Sequence, residues 1–410
     1  MAVSPQEMGR RLRVARESCG LTQEDVARRL GVSRPTVAQI ELGNRAVTTI
    51  ELDKLAYLFG RDIQEFLAEN FEEEDALAVL FRSEPEIAHH EKIANRLRSC
   101  IALGREVTNL EVLLGIDREL AGTVSYQVSA PRSRWDAIQQ GERAAEQERR
   151  RLGLGWAPCP PLPELLETQG VRTGIVDLPE EISGITISNQ RVGLFIVANR
   201  KHAPARRRFS FAHEYAHVLF DRRKKGIVTR ASDRDELVEV RANAFAAAFL
   251  MPPEGIRQFV NALGKGQPSR AIAQVFDEAG TVQAEGRAVP GSQDLQLYDL
   301  VHIAHYFGVS RLAALFRLRN LKVVTQAEFE ELKAADDAGL GGELARLLNL
   351  PDAEGDDADG FRHRVLSLAL EAYRRELITL AKLMEIAQLL SVEPEEVHRL
   401  IEGAGLVRDK

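Results

Sequence analysis

The sequence predicts a mainly α, multidomain chain in which one small sheet interrupts a long series of helices. Three observations carry this. Near the N-terminus a capped helix, a short turn containing Gly31 and a second capped helix follow one another. Three β-rich stretches bounded by turn residues lie between Gly170 and Asn199. After them comes the helical motif His213-Glu214-Tyr215-Ala216-His217, in a chain with only nine histidines.

At 410 residues the chain has material for two or three domains, and 44% hydrophobic with 28% charged residues is an ordinary globular composition. No apolar run reaches membrane-spanning length, and the N-terminus lacks the basic, apolar, small-residue order of a signal peptide. The expected location is cytoplasmic, with no membrane partner. Cys19, Cys100 and Cys159 are odd in number and far apart, which argues against a disulfide framework or a cysteine-rich metal site. The net charge of -7 gives no global drive toward nucleic acid, so DNA binding must come from a local patch.

Residues 1–70 supply such a patch. After the basic helix around Met8 to Arg16, Thr22 caps a helix Gln23 to Leu30, Gly31 ends it, and Ser33 caps Arg34 to Glu41. Arg34 and Thr36, with Gln39 one turn on, are placed to reach base edges in a major groove, while Val37 and Ile40 face the core. Gln23, with Arg10 or Arg11, is placed to hold phosphate, and Arg45 lies on the following loop. Between Met1 and Ala46 eight arginines face five acidic residues, a small excess suited to a reader that gains affinity by dimerisation. With Leu21-Thr22-Gln23, Gly31-Val32-Ser33 and Ile40-Glu41-Leu42-Gly43, the segment resembles the XRE/Cro family of helix-turn-helix domains. The resemblance implies a double-stranded DNA operator as partner and a homodimer as the binding form. A module that contacts only protein is the alternative.

Residues 71–150 read as a helical connector able to carry the dimer contact, with the acidic run Glu72 to Asp75 as a solvated helix start and a charged stretch Gln139 to Arg151. A break follows at Gly153 to Pro161.

In residues 151–262 the β-rich segments are expected to form a small sheet beside the helix of the motif, with an edge able to hold an extended chain. His213 and His217, four residues apart, share one helix face, so both imidazoles can reach one ion. Glu214 sits about 100° round the helix, where it reaches a water on that ion rather than the ion itself. A third ligand should come from the next helix, where Asp235, Glu236 and Glu239 are the candidates. Glu239 is preferred over Glu236, because Asn243, Ala246 and Leu250 share its face and Asn243 can orient a ligating histidine, which Val240 cannot do for Glu236.

The blocks Arg208 to His217, Glu239 to Ala246 and Leu250-Met251-Pro252 resemble, in this order, the ImmA/IrrE family of zinc metallopeptidases. The resemblance implies an α+β, zincin-like domain, Zn2+ at His213, His217 and Glu239, and Glu214 as general base. It also implies a DNA-bound repressor as protein substrate. The residue that would polarise the scissile carbonyl cannot be placed from the sequence.

Residues 263–410 are expected to be helical. Gly264 to Pro268 and Ala279 to Ser292 read as loops around a short helix, and Asp352 to Asp359 as a solvated linker. Val26 to Ser33 is echoed by Ile303 to Ser310 and, more loosely, by Ile386 to Val392, which reads as ordinary helix-turn-helix packing rather than a second DNA reader. His302 and His305, three apart, could form a second metal pair or bring an active-site histidine toward the zinc, but read first as packing or surface histidines. The functional expectation is a DNA-binding transcriptional regulator whose zinc endopeptidase domain cleaves a partner protein such as a repressor. The alternative is a non-proteolytic repressor or antitoxin whose peptidase-like fold senses a ligand or binds a toxin.

Overall fold

The computed structural model describes residues 3–61, 63–69, 71, 80–81, 90–116, 124–189, 193–222, 224, 226–266, 271–277, 280–286, 289, 291–350, 359–390 and 392–403. The acidic run Glu72 to Asp75 and residues 352–358 of the second acidic stretch lie outside them.

The first unit holds α1 (Pro5–Ser18), α2 (Gln23–Leu30), α3 (Arg34–Glu41), α4 (Thr49–Phe59) and α5 (Ile63–Leu67). Its boundaries follow from local chemistry. The Thr22 hydroxyl accepts the Asp25 amide while Asp25 returns a bond to the Thr22 amide, Gly31 takes the left-handed conformation at φ 72°, and the Ser33 hydroxyl accepts the Thr36 amide. At Gly9 a Cβ would lie 2.6 Å from the carbonyl oxygens of Ile40 and Glu41, so only glycine lets α1 approach the end of α3 this closely.

Helix α6 (Glu91–Leu114) joins this unit to the rest: Arg98 Nε donates to the Leu58 carbonyl at 2.7 Å and Arg105 pairs with Glu65 at 3.3 Å. Next come α7 (Arg134–Arg151), α8 (Leu162–Thr168) and the sheet strands β1 (Val171–Val176), β2 (Ile182–Asn189) and β3 (Gly193–Asn199). Helix α9 (Pro204–Phe220) precedes β4 (Gly226–Arg230), and α10 (Leu237–Leu250) and α11 (Pro253–Ala262) follow. The sheet order is β1-β3-β2-β4, with β1 parallel to β3, the other pairs antiparallel, and β4 at an edge.

The sheet divides two apolar cores. Ile185, Ile187, Phe195 and Val197 face one core with α1–α4 and α6, and Leu194, Ile196 and Ala198 face the other with α9 and α10. The alternation leaves Gly184 and Thr186 of β2 on the α9 side, where the functional residues are.

Helix α7, which falls in the expected connector 71–150 but for its last residue, packs along α10 as part of the second core. Most of its charges lie on the solvent side, while Ala137, Gly141, Ala144 and Ala145 are buried together with the charged Glu148 and Arg149. At Gly141 a Cβ would stand 2.4 Å from the Arg241 carbonyl oxygen. Glu148, fully buried, accepts the Tyr126 hydroxyl at 2.9 Å and the Tyr215 hydroxyl, and pairs with Arg151. Burial opposes its ionisation, but Arg151 and the two hydroxyls hold its carboxyl below the usual range, so a buried charge on α7 anchors the metal-motif helix α9.

A correction concerns residues 264–292. They contain an antiparallel hairpin, β5 (Ala271–Asp277) paired with β6 (Gly280–Gly286), rather than loops around a short helix. No clean period-two apolar signal marks it in the sequence, because Ile272 and Phe276 alternate with Gln274 between them, Val275 falls at the opposite parity, and Val282 stands among glycine, glutamine and alanine.

The remaining helices are α12 (Leu297–Phe307), α13 (Arg311–Asn320), α14 (Gln326–Asp337), α15 (Leu340–Leu347), α16 (Asp359–Arg374), α17 (Leu380–Leu389) and α18 (Pro394–Gly403). In α12 and α13 the N-terminal turn geometry recurs, with Gly308 at φ 65° and the Ser310 hydroxyl accepting the Ala313 amide. Arg317 of α13 donates to the Met251 carbonyl at 3.2 Å, and α16 packs against α6 and β1. Among the described residues no helix is long and apolar enough to cross a membrane.

Candidate metal centre and DNA-reading helix

From Ser210 to Leu219 every residue of α9 is buried, because the sheet, α8 and α10 cover it on several sides. Its histidines therefore sit in a dry environment. His217 is fully buried, and His213 and Glu239 are almost so. His213 Nε2 lies 3.0 Å from Glu239 Oε2, His217 Nε2 lies 3.3 Å from Glu239 Oε1, and the two Nε2 atoms are 3.1 Å apart. Among the described residues this is the one group of three or more such side chains whose ligating atoms converge.

The far nitrogens decide what this convergence means. His213 Nδ1 is 3.0 Å from Asn243 Oδ1, and His217 Nδ1 is 3.0 Å from Asp221 Oδ2. Both partners are acceptors, so each Nδ1 carries the proton and, in the neutral rings, each Nε2 presents a lone pair. Two lone pairs and a carboxylate then face one another across about 3 Å of dry protein, which is repulsive unless a cation or proton sits between them. Four tetrahedral donors about 2.0 Å from an ion stand about 3.3 Å apart, and the observed edges are within about 0.3 Å of that. The residues fit a divalent ion.

Without an ion, a proton takes that place. Burial alone would lower the His217 pKa, but Asp221, Glu239 and Glu214 reverse this and push it up to about 9. Burial would likewise raise Glu239, yet the two imidazoles hold it far below the usual carboxylate range.

Glu214 is fully buried and lines the same narrow pocket of about 130 Å³ as His213, Glu239 and Asn243. Its Oε2 accepts the Thr186 hydroxyl at 2.6 Å, while its Oε1 has no hydrogen-bond partner. A Cβ at Gly184 would come within 2.6 Å of that Oε1, so the bare strand at this position makes room for the carboxylate.

The other candidate ligands lie apart. Asp235 and Glu236 are exposed, with Asp235 held by Arg134 at 2.6 Å. On α12, His302 is half-buried and His305 exposed, and neither belongs to a ligating group.

Sequence reasoning missed Asp221, whose two carboxylate oxygens also accept from one Arg241 nitrogen at 2.8 and 3.0 Å. Its position four residues beyond His217 was the available signal. Thr186 and Gly184 had none, because only the β2–α9 packing brings them to Glu214.

On the N-terminal unit, Arg34 is exposed at the start of α3 and makes no ion pair among the described residues. Thr36 is half-buried with its hydroxyl 2.9 Å from Ser33 Oγ, and exposed Gln39 accepts from Asn44 at 3.0 Å. Arg45 pairs with Glu51 at 2.9 Å. Gln23 donates to Glu41 at 2.9 Å, and Arg10 forms a two-pronged pair with Glu7, whose carboxyl the neighbouring Arg10 and Arg11 hold down at about 2. Two arginines of the basic excess are structural. Arg11 is buried and donates to the Phe66 and Ala68 carbonyls, and Arg16 is buried against Glu41 at 2.6 Å. Arg10, not Arg11, is thus the one able to face a phosphate.

The Asp221 bridge yields a prediction. Asp221→Ala removes the acceptor that sets the His217 tautomer, and should weaken metal affinity by about 10- to 100-fold, measured by competition with a chromogenic chelator. Unchanged affinity would mean that His217 does not ligate through Nε2.

Residues 7–68 match the family described as a helix-turn-helix domain. Residues 166–279 match a peptidase family described as the IrrE N-terminal-like domain. No curated protein matches the chain. The chain is therefore a fusion of an N-terminal helix-turn-helix domain with an IrrE N-terminal-like domain of the peptidase type.

Proposed function

We propose that this protein is a DNA-binding transcriptional regulator carrying a zinc endopeptidase that cleaves a partner protein such as a repressor. The observation that carries the proposal is the pair of imidazole lone pairs and the Glu239 carboxylate facing one another, with the unpartnered Glu214 Oε1 in the same pocket. Among ions, zinc suits two imidazoles and one carboxylate that leave a fourth position open. When bound there, zinc polarises a carbonyl and brings the pKa of water near neutrality.

The chain's own residues supply the rest. Glu214, with Oε2 fixed by Thr186, takes the water's proton at Oε1 and returns it to the leaving amine. The edge strand β4 contributes Thr229 and Arg230 to the pocket, so an extended peptide pairing with it passes the metal centre. Asn243 and Asp221 hold the two imidazoles in place.

For the N-terminal domain, Arg34, Thr36 and Gln39 on α3 read bases of a double-stranded operator, with Gln23, Arg10 and Arg45 near phosphates and a homodimer as the binding form. Arg10 must leave Glu7 to reach a phosphate, which makes its contribution depend strongly on salt.

Two outcomes follow. Glu214→Gln should keep its zinc and its operator binding but lose cleavage of the product of the adjacent reading frame by several orders of magnitude in co-expression. Normal regulation by this variant, with no cleaved product in either case, would instead support a sensor or antitoxin in which the peptidase-like fold binds a ligand or toxin. Gln39→Ala should cost about 1–3 kcal/mol of base discrimination at one position per half-site, read in a binding-site selection. An unchanged preference would remove Gln39 from the reading surface.

A further inference from the structure

The pocket over the metal centre is lined by three guanidinium groups that no step of the proposed reaction uses. Arg206 comes from the first turn of α9, Arg230 from the end of β4 and Arg234 from the turn before α10. Three separate elements thus direct cations to one narrow opening in a chain whose net charge is -7. Arg206 is exposed and makes no ion pair among the described residues. Arg234 meets Asp235 only at 4.0 Å with both side chains well exposed, and Arg134 holds the same carboxylate at 2.6 Å. Asp233, Asp235 and Glu236 belong to the neighbouring turn, and none lines the pocket.

Among the described residues the only anions lining the pocket are Glu214 and Glu239. A divalent ion matches those two charges, so beside the loaded site Arg206 stands without an ion pair among the described residues and Arg234 with only its 4.0 Å contact to Asp235. The remaining lining includes Phe209, Ser210 and Thr229, which offers apolar surface and hydroxyls but no acceptor charge.

Resting on the peptidase reading, we propose that this arginine rim selects an acidic peptide, seating an aspartate or glutamate side chain next to the scissile bond. Arg206 and Arg234 determine that specificity, with Arg230 completing the rim. They act on the substrate's charge, not on the chemical step.

Zinc-binding probes of opposite charge test this on the full-length, zinc-loaded protein. N-acetyl-glutamyl hydroxamate should bind about tenfold or more tightly than its lysyl counterpart at low salt by calorimetry, with a gap that narrows as salt rises. Arg206→Glu combined with Arg234→Glu should reverse the order. The milder Arg206→Gln with Arg234→Gln should close most of the gap, and unchanged zinc content certifies that each variant is folded. Equal affinities for the two probes, or a gap that survives both double variants, would overturn the acidic-substrate inference while leaving the metal centre standing. Binding of neither probe to the zinc-loaded protein would overturn the peptidase reading, which needs an accessible position on the ion, and this inference with it. Displacement of the glutamyl probe by a single-stranded oligonucleotide would assign the rim to phosphate and overturn it as well.

Discussion

Everything at the centre of this molecule depends on holding two imidazole lone pairs and a carboxylate within about 3 Å of one another, away from water. Such an arrangement pushes itself apart. It persists because the helices that carry it are pinned from behind. Glu148 ties α7 to α9 through Tyr215, the Gly141 contact brings α7 against the α10 backbone, and the Asp221–Arg241 pair joins the end of α9 to α10. The rigidity lies in the scaffold, and a cation relieves the repulsion that the scaffold imposes.

The same device recurs on a smaller scale in the N-terminal domain. Arg16, Gln23 and Glu41 form a buried polar cluster that fixes α1 and α2 to the end of α3. Removing one partner of such a buried pair commonly costs about 3–5 kcal/mol, so the angle of α3 depends on the Arg16–Glu41 pair. This explains why part of the arginine excess in the first 46 residues cannot serve as a phosphate patch. Arg98 and Arg105 then carry α6 against the same domain, which makes the first core continuous from the helix-turn-helix to one face of the sheet. The metal centre lies across that sheet, on its other face.

Elements whose signal is local were legible in the sequence. The caps Thr22 and Ser33, the left-handed Gly31 and the period-four histidines act within a few residues, and helices α2 and α3 fall where those residues place them. The face argument that favoured Glu239 over Glu236 depends on periodicity within one helix, and the two acids lie respectively beside the histidines and in solvent. What stayed hidden depends on tertiary packing. Nothing in the spacing of Gly184 and Thr186 announces Glu214, and the charges of α7 disguise a helix that also buries alanine and glycine. The hairpin β5–β6 was missed because its alternation is carried by few strongly apolar residues.

The central claim is that His213, His217 and Glu239 together hold one zinc ion. Zinc-edge X-ray absorption on the full-length protein tests it most directly. The account predicts one zinc per chain with two imidazoles in an all nitrogen and oxygen shell at about 2.0–2.1 Å. A sulfur shell at about 2.3 Å, or a protein that retains no zinc at equimolar supply, would contradict it.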